Sequence, residues 1–261
     1  GRKLNSIECH MLMCHTASAV IVGSVRRAAL ISLSNLSDGR MRDAKSGQWW
    51  MVEPDLALSN NSVAYTEKPD LKAFMTEWLS LYNSKSGERG IWNKVGMKKK
   101  YIACGRPDYD GDLIPNPCGE ISLRDSGQAC NLSEVILRPE DTLEAVKEKV
   151  KVATIIGTLQ ASLTNLRFLR KIWQRNMEEE RLLGVSMTGI MDHVVFSKQM
   201  KDTTEWSGDP KLNNLDAILD YLREYSHEVN EEWARKIGIQ PSGHITCVKP
   251  SGTVSLLTGT S

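Results

Sequence analysis

Residues 141–163, DTLEAVKEKVKVATIIGTLQASL, indicate the fold class most clearly. Apolar side chains recur in this stretch every three or four residues, at Leu143, Val146, Val150, Ala153, Ile156, Leu159 and Leu163. This spacing predicts one long helix with a single buried face. Asp141, with Glu144 three residues later, is typical of the capping box that begins a helix.

A second helix and two short apolar runs lie further along the chain. The helix is predicted from about Pro210 to Gly238, because proline is tolerated in a first turn and glycine is a common helix terminator. Residues 183–189 and 245–248 are short, apolar and bounded by Gly, Lys and Pro, which is typical of buried parallel strands. Helices that alternate with short buried strands predict an α/β fold.

The first part of the chain shows the same alternation. Residues 7–22 predict a helix, and residues 27–33 predict a strand. Residues 84–112 are rich in Lys, Gly, Asp and Ser, and we expect them to form a solvated loop that carries the basic run at 98–100. A nucleic-acid contact explains that run less well, because no interleaved aromatic residues or matching basic patches accompany it.

The composition excludes several classes of protein. The chain carries 33 Lys and Arg against 32 Asp and Glu, a net charge of +1, so it has no strongly basic surface for nucleic acid. The most apolar early stretch, residues 17–25, is far shorter than the ~20 residues that cross a bilayer, which predicts neither a membrane span nor a signal peptide. Six irregularly spaced cysteines without a CxxC pair are typical of reduced thiols in a cytoplasmic protein.

One pair of residues raises the possibility of a metal site. His10 and Cys14 lie four residues apart on the first predicted helix and could share one face. A structural zinc site needs four ligands, and no second Cys/His pair has a matching spacing. We therefore expect no metal, and we expect Cys104 and Cys247 to be packed thiols.

The stretch Ile114-Pro115-Asn116-Pro117-Cys118-Gly119-Glu120-Ile121 is the most informative for function. Its prolines favour extended geometry in the residues before them, and Gly119 permits a tight reversal. If residues 118–120 are extended, Cys118 and Glu120 project to the same side, together with Asn116. A nearby carboxylate raises a thiol pKa, so this pattern suits a neutral S–H beside a general base, as in hydrogen-atom transfer. A simple Pro/Gly turn with a packed cysteine explains the spacing equally well.

Two further segments have the composition of nucleotide-binding loops. One follows the predicted strand at 245–248, where small residues could direct backbone N–H groups and hydroxyls towards an anion at a helix start; it comprises Pro250, Ser251, Gly252, Thr253, Val254 and Ser255. The other has two adjacent arginines beside a glycine-bearing turn, which could contact bases or phosphates; it comprises Gly23, Ser24, Val25, Arg26 and Arg27. By composition alone, both could equally be ordinary surface turns.

These motifs together resemble the ribonucleotide reductases. Residues 116–121, followed by Cys130-Asn131-Leu132, resemble the finger loop and the following redox cysteine of that family. Five more blocks agree in order, GSVRRAA (23–29), SNNSV (59–63), SGERGI (86–91), RLLGVS (181–186) and KPSGTVS (249–255). The resemblance covers essentially the whole chain and is greatest to the adenosylcobalamin-dependent ribonucleoside triphosphate reductases.

The resemblance implies a role for each motif. Cys118 matches the cysteine whose thiyl radical takes the 3′-hydrogen of the ribose, and Glu120 matches the base on the 3′-hydroxyl. Asn116 matches the amide that holds the ribose hydroxyls, and Cys130 matches one of two cysteines that reduce the substrate and form a disulfide. Residues 250–255 match the segment that binds substrate phosphates, and residues 23–27 match the loop that links effector identity to substrate choice.

The resemblance also implies the fold, the cofactor and the partners. It implies part of a ten-stranded α/β barrel around a central finger loop, with residues 1–261 as a single catalytic-barrel domain that is incomplete at both ends. The implied cofactor is adenosylcobalamin. The implied partners are a ribonucleotide substrate, a deoxynucleotide effector, a thioredoxin-like dithiol reductant and the remaining reductase segments. Because the second redox cysteine is not in this sequence, we expect the chain to need those segments for turnover.

Two alternatives remain open at this stage. The chain could instead be a large-subunit fragment of a class I reductase, whose radical comes from a metal-containing partner and which needs no corrin. It could also be a catalytically silent module that acts in binding or assembly and keeps the cysteine motif without using it.

Overall fold

The computed structural model of the chain describes residues 1–22, 25–26 and 29–260, and for residues 21, 22, 25 and 26 it describes the backbone alone. The chain divides into two compact units. The first unit comprises Gly1–Lys100 and Leu113–Ser122, and the second comprises Tyr101–Asp112 and Leu123–Ser261. The expectation of a single, incomplete barrel domain over residues 1–261 stays a prediction.

The first part of the chain is built around a small parallel sheet. Strands β3, β4 and β5 lie side by side in that order, with Leu30 opposite Ser59 and Ser62 opposite Gly90. Strands β1 and β2 pair antiparallel. In chain order the elements up to residue 124 are helix α1 (Ser6–Ser18), strands β1 (Ile21–Val22), β2 (Val25–Arg26) and β3 (Leu30–Ser34), helices α2 (Gly39–Arg42) and α3 (Trp49–Val52), a 3₁₀ helix (Pro54–Leu58), strand β4 (Ser59–Tyr65), helix α4 (Leu71–Ser84), strand β5 (Gly90–Asn93), helix α5 (Lys94–Ala103), and strands β6 (Leu113–Pro115) and β7 (Ser122–Arg124).

Helix α1 begins at a complete capping box. The Asn5 side chain accepts a hydrogen bond from the Glu8 backbone N–H at 3.0 Å, and the Glu8 carboxylate accepts one from the Asn5 N–H at 2.9 Å. The predicted helix over residues 7–22 is thus present as α1, but it ends at Ser18, because the next residues turn into β1. Of the strand predicted over residues 27–33, residues 30–33 lie in β3, whereas residues 27 and 28 lie outside the described residues.

The expectation of a solvated loop over residues 84–112 is wrong for its central part. Strand β5 and helix α5 occupy residues 90–103. The side chain of Asn93 accepts a hydrogen bond from the Gly96 N–H at 2.9 Å, which starts the helix. Lysine is a good helix former, so the basic run at 98–100 continues α5 while its side chains stay exposed.

The second unit is built on the parallel pair β8 and β9. Asn131 lies opposite Leu183, and the pairing continues to Ile136 opposite Thr188. The remaining elements are, in chain order, strand β8 (Asn131–Ile136), helices α6 (Leu143–Gln160) and α7 (Lys171–Glu180), strand β9 (Leu183–Thr188), and helices α8 (Thr204–Ser207), α9 (Leu215–Ile237) and α10 (Thr253–Thr258).

The core of this unit lies between the β8–β9 pair and helices α6 and α9. Val135, Val150, Leu183 and Ile218 each contribute a side chain that is no more than 2% exposed. Gly157 lets α6 approach β9 closely, because a Cβ atom there would lie 3.3 Å from the Cδ2 of Leu183. The predicted α/β class is confirmed by these parallel strands and the helices packed on them.

The two long helices differ from the prediction at their starts. Thr142, rather than Asp141, caps α6, because its hydroxyl accepts the Ala145 N–H. The Asp141 carboxylate instead accepts a hydrogen bond from the Arg138 N–H at 2.8 Å and pairs with Lys149. The helix predicted from Pro210 begins at Leu215, where Asn214 supplies a side-chain cap, and it ends at Gly238 as expected.

The strand predicted over residues 245–248 is reduced to an isolated parallel bridge between Val185 and Thr246. The backbone still follows β9, since the Val185 N–H donates to the Ile245 carbonyl at 2.8 Å and the Cys247 N–H donates to the Val185 carbonyl at 3.0 Å. Two residues after Cys247, the Lys249 N–H donates to a side-chain hydroxyl instead of a backbone carbonyl, and the proline that follows Lys249 has no N–H. The ladder therefore stops after one bridge.

Candidate active site

The loop at residues 116–121 is closed by its own hydrogen bonds. The backbone N–H of Asn116 donates to the Ile121 carbonyl at 3.0 Å, and the Ile121 N–H donates to the side-chain oxygen of Asn116, also at 3.0 Å. The Gly119 N–H donates to the Asn116 carbonyl at 2.9 Å, which makes a β-turn with Pro117 and Cys118 at its corners. The first unit therefore presents this cysteine at the tip of a fixed loop.

The condition under which Cys118 and Glu120 would project to the same side, an extended backbone over residues 118–120, is not met. Cys118 lies at a corner of the turn, and Gly119 has a φ of +84°, in the left-handed region that glycine adopts readily. The alternation of side chains along a strand therefore does not determine where the side chains of Cys118 and Glu120 lie. The short turn instead brings both side chains into one loop, and the thiol of Cys118 is exposed.

Glu120 has one carboxylate oxygen in an unusual environment. The side chain is half-buried, and its Oε2 atom is fully buried without a hydrogen-bond partner among the described residues. A buried carboxylate oxygen that accepts no hydrogen bond is energetically costly, so each such atom calls for an explanation. The role of Glu120 as a base on a substrate hydroxyl stays a prediction.

The side chain of Asn116 has a structural role that the sequence did not predict. Its Oδ1 atom accepts the Ile121 N–H and so closes the loop. Contact with ribose hydroxyls, as the resemblance implies, would therefore fall to its Nδ2 group.

Cys130 lies in the second unit, directly before β8. It is half-buried, and its Sγ lies 3.9 Å from the Asn131 carbonyl oxygen. The Asn131 N–H donates to the Leu182 carbonyl at 3.0 Å, so the backbone next to this thiol is fixed by the β8–β9 pair. A redox role for Cys130 stays a prediction.

The segment at residues 250–255 turns into α10, as the sequence predicted. The Ser251 hydroxyl accepts a hydrogen bond from the Ser255 N–H at 3.1 Å, which ties Ser251 to the first turn of this short helix; the N-cap residue itself is Gly252. Two contacts anchor the residue before the segment: the Lys249 N–H donates to the Ser186 hydroxyl at 2.9 Å, and the Lys249 ammonium group lies 2.8 Å from the Glu134 carboxylate. Phosphate binding by this segment stays a prediction.

The predicted specificity loop is only partly described. Gly23, Ser24 and Arg27 lie outside the described residues. Val25 and Arg26 form β2, whose backbone pairs with β1. The proposed link to effector identity stays a prediction.

The pair His10 and Cys14 is occupied by serine contacts. His10 Nδ1 lies 2.7 Å from the Ser32 hydroxyl, and its Nε2 lies 3.2 Å from the Ser59 hydroxyl. Cys14 Sγ lies 3.4 Å from the same Ser59 hydroxyl. Burial, together with the charge of Lys45, lowers the pKa of His10. Within the described ranges, no three His, Cys, Asp or Glu side chains form a group that could hold a metal ion.

Sequence reasoning missed the contact that ties the loop to the sheet. The side-chain amide of Asn60, on β4, donates a hydrogen bond to the carbonyl oxygen of Pro117. Asn60 belongs to a block that was noted only for its resemblance. The structure shows Asn60 as an exposed polar residue on a strand, between the buried residues Ser59 and Asn61. Its polar side chain within a strand is the signal that could have pointed to this contact.

The expected cofactor places a requirement on this site, namely a thiol that a radical can reach. Cys118 meets it, because its side chain is exposed at the tip of a turn. We assign no residue of the described part of the chain to binding the corrin ring.

Among the helices within residues 1–260 that the structure describes, none combines the length and the apolar character needed to cross a membrane.

Comparison with known proteins agrees with the resemblance found in the sequence. No family model matches the chain. An adenosylcobalamin-dependent ribonucleoside-triphosphate reductase from Lactobacillus acidophilus is 30% identical over 281 residues, an alignment that covers the whole of this chain and 36% of the relative. The chain thus spans about a third of the length of the curated relatives it matches.

Solved structures show the same fold. A B12-dependent, class II ribonucleotide reductase aligns with a TM-score of 0.67 and 21% identity, over 99% of this chain and 36% of that protein. The alpha subunit of a class Id ribonucleotide reductase from Actinobacillus ureae aligns with a TM-score of 0.60 and 14% identity, over 98% of this chain and 53% of that subunit. At these identities the similarity concerns the fold alone. It is consistent with the expectation that the chain forms part of an α/β barrel.

Proposed function

We propose that this chain forms the radical-bearing part of an adenosylcobalamin-dependent ribonucleoside-triphosphate reductase. The chain is similar along its whole length to enzymes of that name. The reaction is the reduction of ribonucleoside triphosphates to 2′-deoxyribonucleotides for DNA synthesis. The observation that carries the proposal is the loop at residues 116–121, which combines an exposed Cys118 thiol with the unpartnered Glu120 Oε2.

The residues of the loop have complementary chemical tasks. Cys118, as a thiyl radical, takes the hydrogen atom from C3′ of the ribose and returns it at the end of the cycle. Glu120 accepts the proton of the 3′-hydroxyl through its buried oxygen, which favours loss of the 2′-hydroxyl as water. The Nδ2 group of Asn116 holds the ribose hydroxyls in place for these steps.

The reducing electrons come from a second pair of thiols. The C2′–O bond breaks and a C2′–H bond forms, while two cysteine thiols become one disulfide and the oxygen leaves as water. Cys130 is one of the two, and its partner belongs to a segment outside this sequence. A thioredoxin-like dithiol then returns the disulfide to two thiols, which is consistent with a reducing cytoplasm.

The remaining motifs supply cofactor access, binding and regulation. When bound, adenosylcobalamin supplies a carbon-centred radical that can take a hydrogen atom from a thiol. The exposure of Cys118 fits this chemistry. Residues 250–255 bind the substrate phosphates, and residues 23–27 transmit the identity of a deoxynucleotide effector.

A class I large subunit is the second candidate, and the likeness to a class Id alpha subunit favours keeping it. Both classes use the same cysteine and glutamate chemistry, so the fold alone does not separate them. The relatives matched by sequence are named for adenosylcobalamin, which supports the class II assignment.

An experiment with the corrin separates the two classes. Adenosylcobalamin is added to the chain combined with its adjoining reductase segments, and cob(II)alamin formation is followed by absorbance and electron paramagnetic resonance. We expect the signal in the unmodified protein and in Cys9→Ser, which removes another exposed thiol, and we expect its loss in Cys118→Ser. Ribonucleotide reduction without any corrin signal would favour the class I alternative.

A simpler assay tests whether the chain is sufficient by itself. The 261-residue chain is incubated with a ribonucleoside triphosphate, adenosylcobalamin and a dithiol. Because half of the disulfide couple is not in the sequence, we expect no turnover. Sustained deoxyribonucleotide formation would refute the dependence on other segments.

A further inference from the structure

We propose that Asn60 is a positioning residue for Cys118, because its side chain fixes the peptide bond that precedes this cysteine. The Nδ2 group of Asn60 donates a hydrogen bond to the carbonyl oxygen of Pro117, 57 residues further along the chain and within the same compact unit. The importance of this contact for catalysis rests on the proposed function, whereas the contact itself does not.

Asn60 occupies a well-fixed place in the first unit. It lies on β4, the central strand of the parallel sheet, which is paired on both sides. Its neighbours Ser59 and Asn61 are buried, and their side chains donate to the carbonyls of Leu56 and Met41. Since side chains alternate along a strand, Asn60 projects from the opposite face, where its amide meets the loop.

The Pro117 carbonyl is the group that decides which way the turn faces. The internal bond of the turn, from the Gly119 N–H to the Asn116 carbonyl, is compatible with both type I and type II turns. These types differ by a flip of the central peptide, here the one between Pro117 and Cys118. A type II turn requires a positive φ at the third residue, and Cys118 is not among the residues with positive φ.

A donor on the Pro117 carbonyl therefore selects one of the two peptide orientations. Because this peptide is joined to the Cα atom of Cys118, its orientation sets the direction of the thiol. Hydrogen-atom transfer needs the reacting atoms in near-contact, and a misplacement of about 1 Å can cost on the order of 100-fold in rate. The bond from Asn60 thus links a rigid strand to the reactive sulfur.

The first experiment measures the loop in the 261-residue chain, with no substrate or cofactor. Rapid hydrogen–deuterium exchange reports the Gly119 N–H, whose bond closes the turn. We expect Asn60→Ala and Asn60→Asp to speed this exchange by about three- to tenfold, the effect of losing one neutral hydrogen bond. Asn83→Ala removes an exposed asparagine from α4 of the same unit and serves as the matched control, with no change at Gly119.

The second experiment measures catalysis in the chain combined with its adjoining reductase segments. We expect Asn60→Ala to lower kcat about three- to tenfold with KM unchanged, and Asn60→Gln, which keeps a donor, to recover part of the loss. Asn60→Ser is a second variant if the alanine variant fails to fold, since it also removes the side-chain amide that donates to the Pro117 carbonyl.

The outcomes separate this inference from the proposed function. Unchanged exchange at Gly119 in both Asn60→Ala and Asn60→Asp would overturn the proposed tether. Faster exchange with an unchanged kcat would overturn the catalytic importance of Asn60. Full reduction in Cys118→Ser would instead overturn the proposed function, whatever the exchange experiment shows.

Discussion

Replacement of Glu180 by glutamine should destabilise the second unit much more than the same change at its neighbour Glu179. Glu180 is the centre of a buried charge cluster, and its side chain is fully buried. One of its oxygens accepts a hydrogen bond from the Tyr101 hydroxyl and lies 2.7 Å from the Arg124 guanidinium. The other accepts two hydrogen bonds from Arg106, at 2.9 and 2.5 Å.

The magnitude follows from the burial of these arginines. The side chains of Arg106 and Arg124 are 4% and 3% exposed, so neither can replace a lost carboxylate with water. Breaking a buried ion pair by removing one charge typically costs about 3–5 kcal/mol. Glu180→Gln keeps the shape and removes the charge, and we expect a loss in that range.

Glu179 provides a matched control on the same helix turn. It also pairs with Arg124, at 2.5 Å, but its side chain is 44% exposed. Because exposed pairs contribute little, Glu179→Gln should lower the free energy of unfolding by only about 0.2–1 kcal/mol. Urea unfolding of the chain at pH 7 measures both variants. A loss below about 1 kcal/mol for Glu180→Gln, or equal losses for the two variants, would refute the reasoning.

Two further predictions concern the same unit. Burial, together with the hydrogen bond to Glu180, raises the pKa of Tyr101 to about 12 from a usual 10, so the folded state holds this proton more tightly than the unfolded state. In unfolding curves, the contribution of this group to the free energy of unfolding should be complete below pH 10 and should decline as the pH rises towards 12. Tyr101→Phe should remove that decline. Glu134→Gln weakens the ion pair that anchors Lys249. We expect it to speed hydrogen exchange at the Ser255 N–H, which donates to the Ser251 hydroxyl. An unchanged exchange rate would show that the ion pair does not support residues 250–255.

The periodic elements could be predicted from the sequence because their signals are local. The apolar stripes of α6 and α9 and the short apolar run of β9 depend on residues within a few positions of each other. Helix starts were less accurate, because competing contacts decide which polar residue caps. Asp141 would suit α6, but its carboxylate is engaged by Lys149, and Thr142 takes the capping position.

The loop geometry could be predicted only in part. The Pro/Gly pattern correctly indicated a rigid reversal, yet the alternation argument for Cys118 and Glu120 failed, because Asn116 closes a turn rather than continuing a strand. The contact from Asn60 crosses 57 residues and depends on the sheet register, which no local pattern encodes. The role of Cys130 was implied by resemblance alone.

The central claim is that Cys118 carries the reactive radical, and one measurement tests it most directly. Deoxyribonucleotide formation is measured in the chain combined with its adjoining reductase segments, for the unmodified sequence, Cys118→Ser and the exposed-thiol control Cys9→Ser. We predict that Cys118→Ser forms no product while Cys9→Ser matches the unmodified protein. Undiminished reduction by Cys118→Ser would contradict the claim and favour a module that keeps the motif without using it.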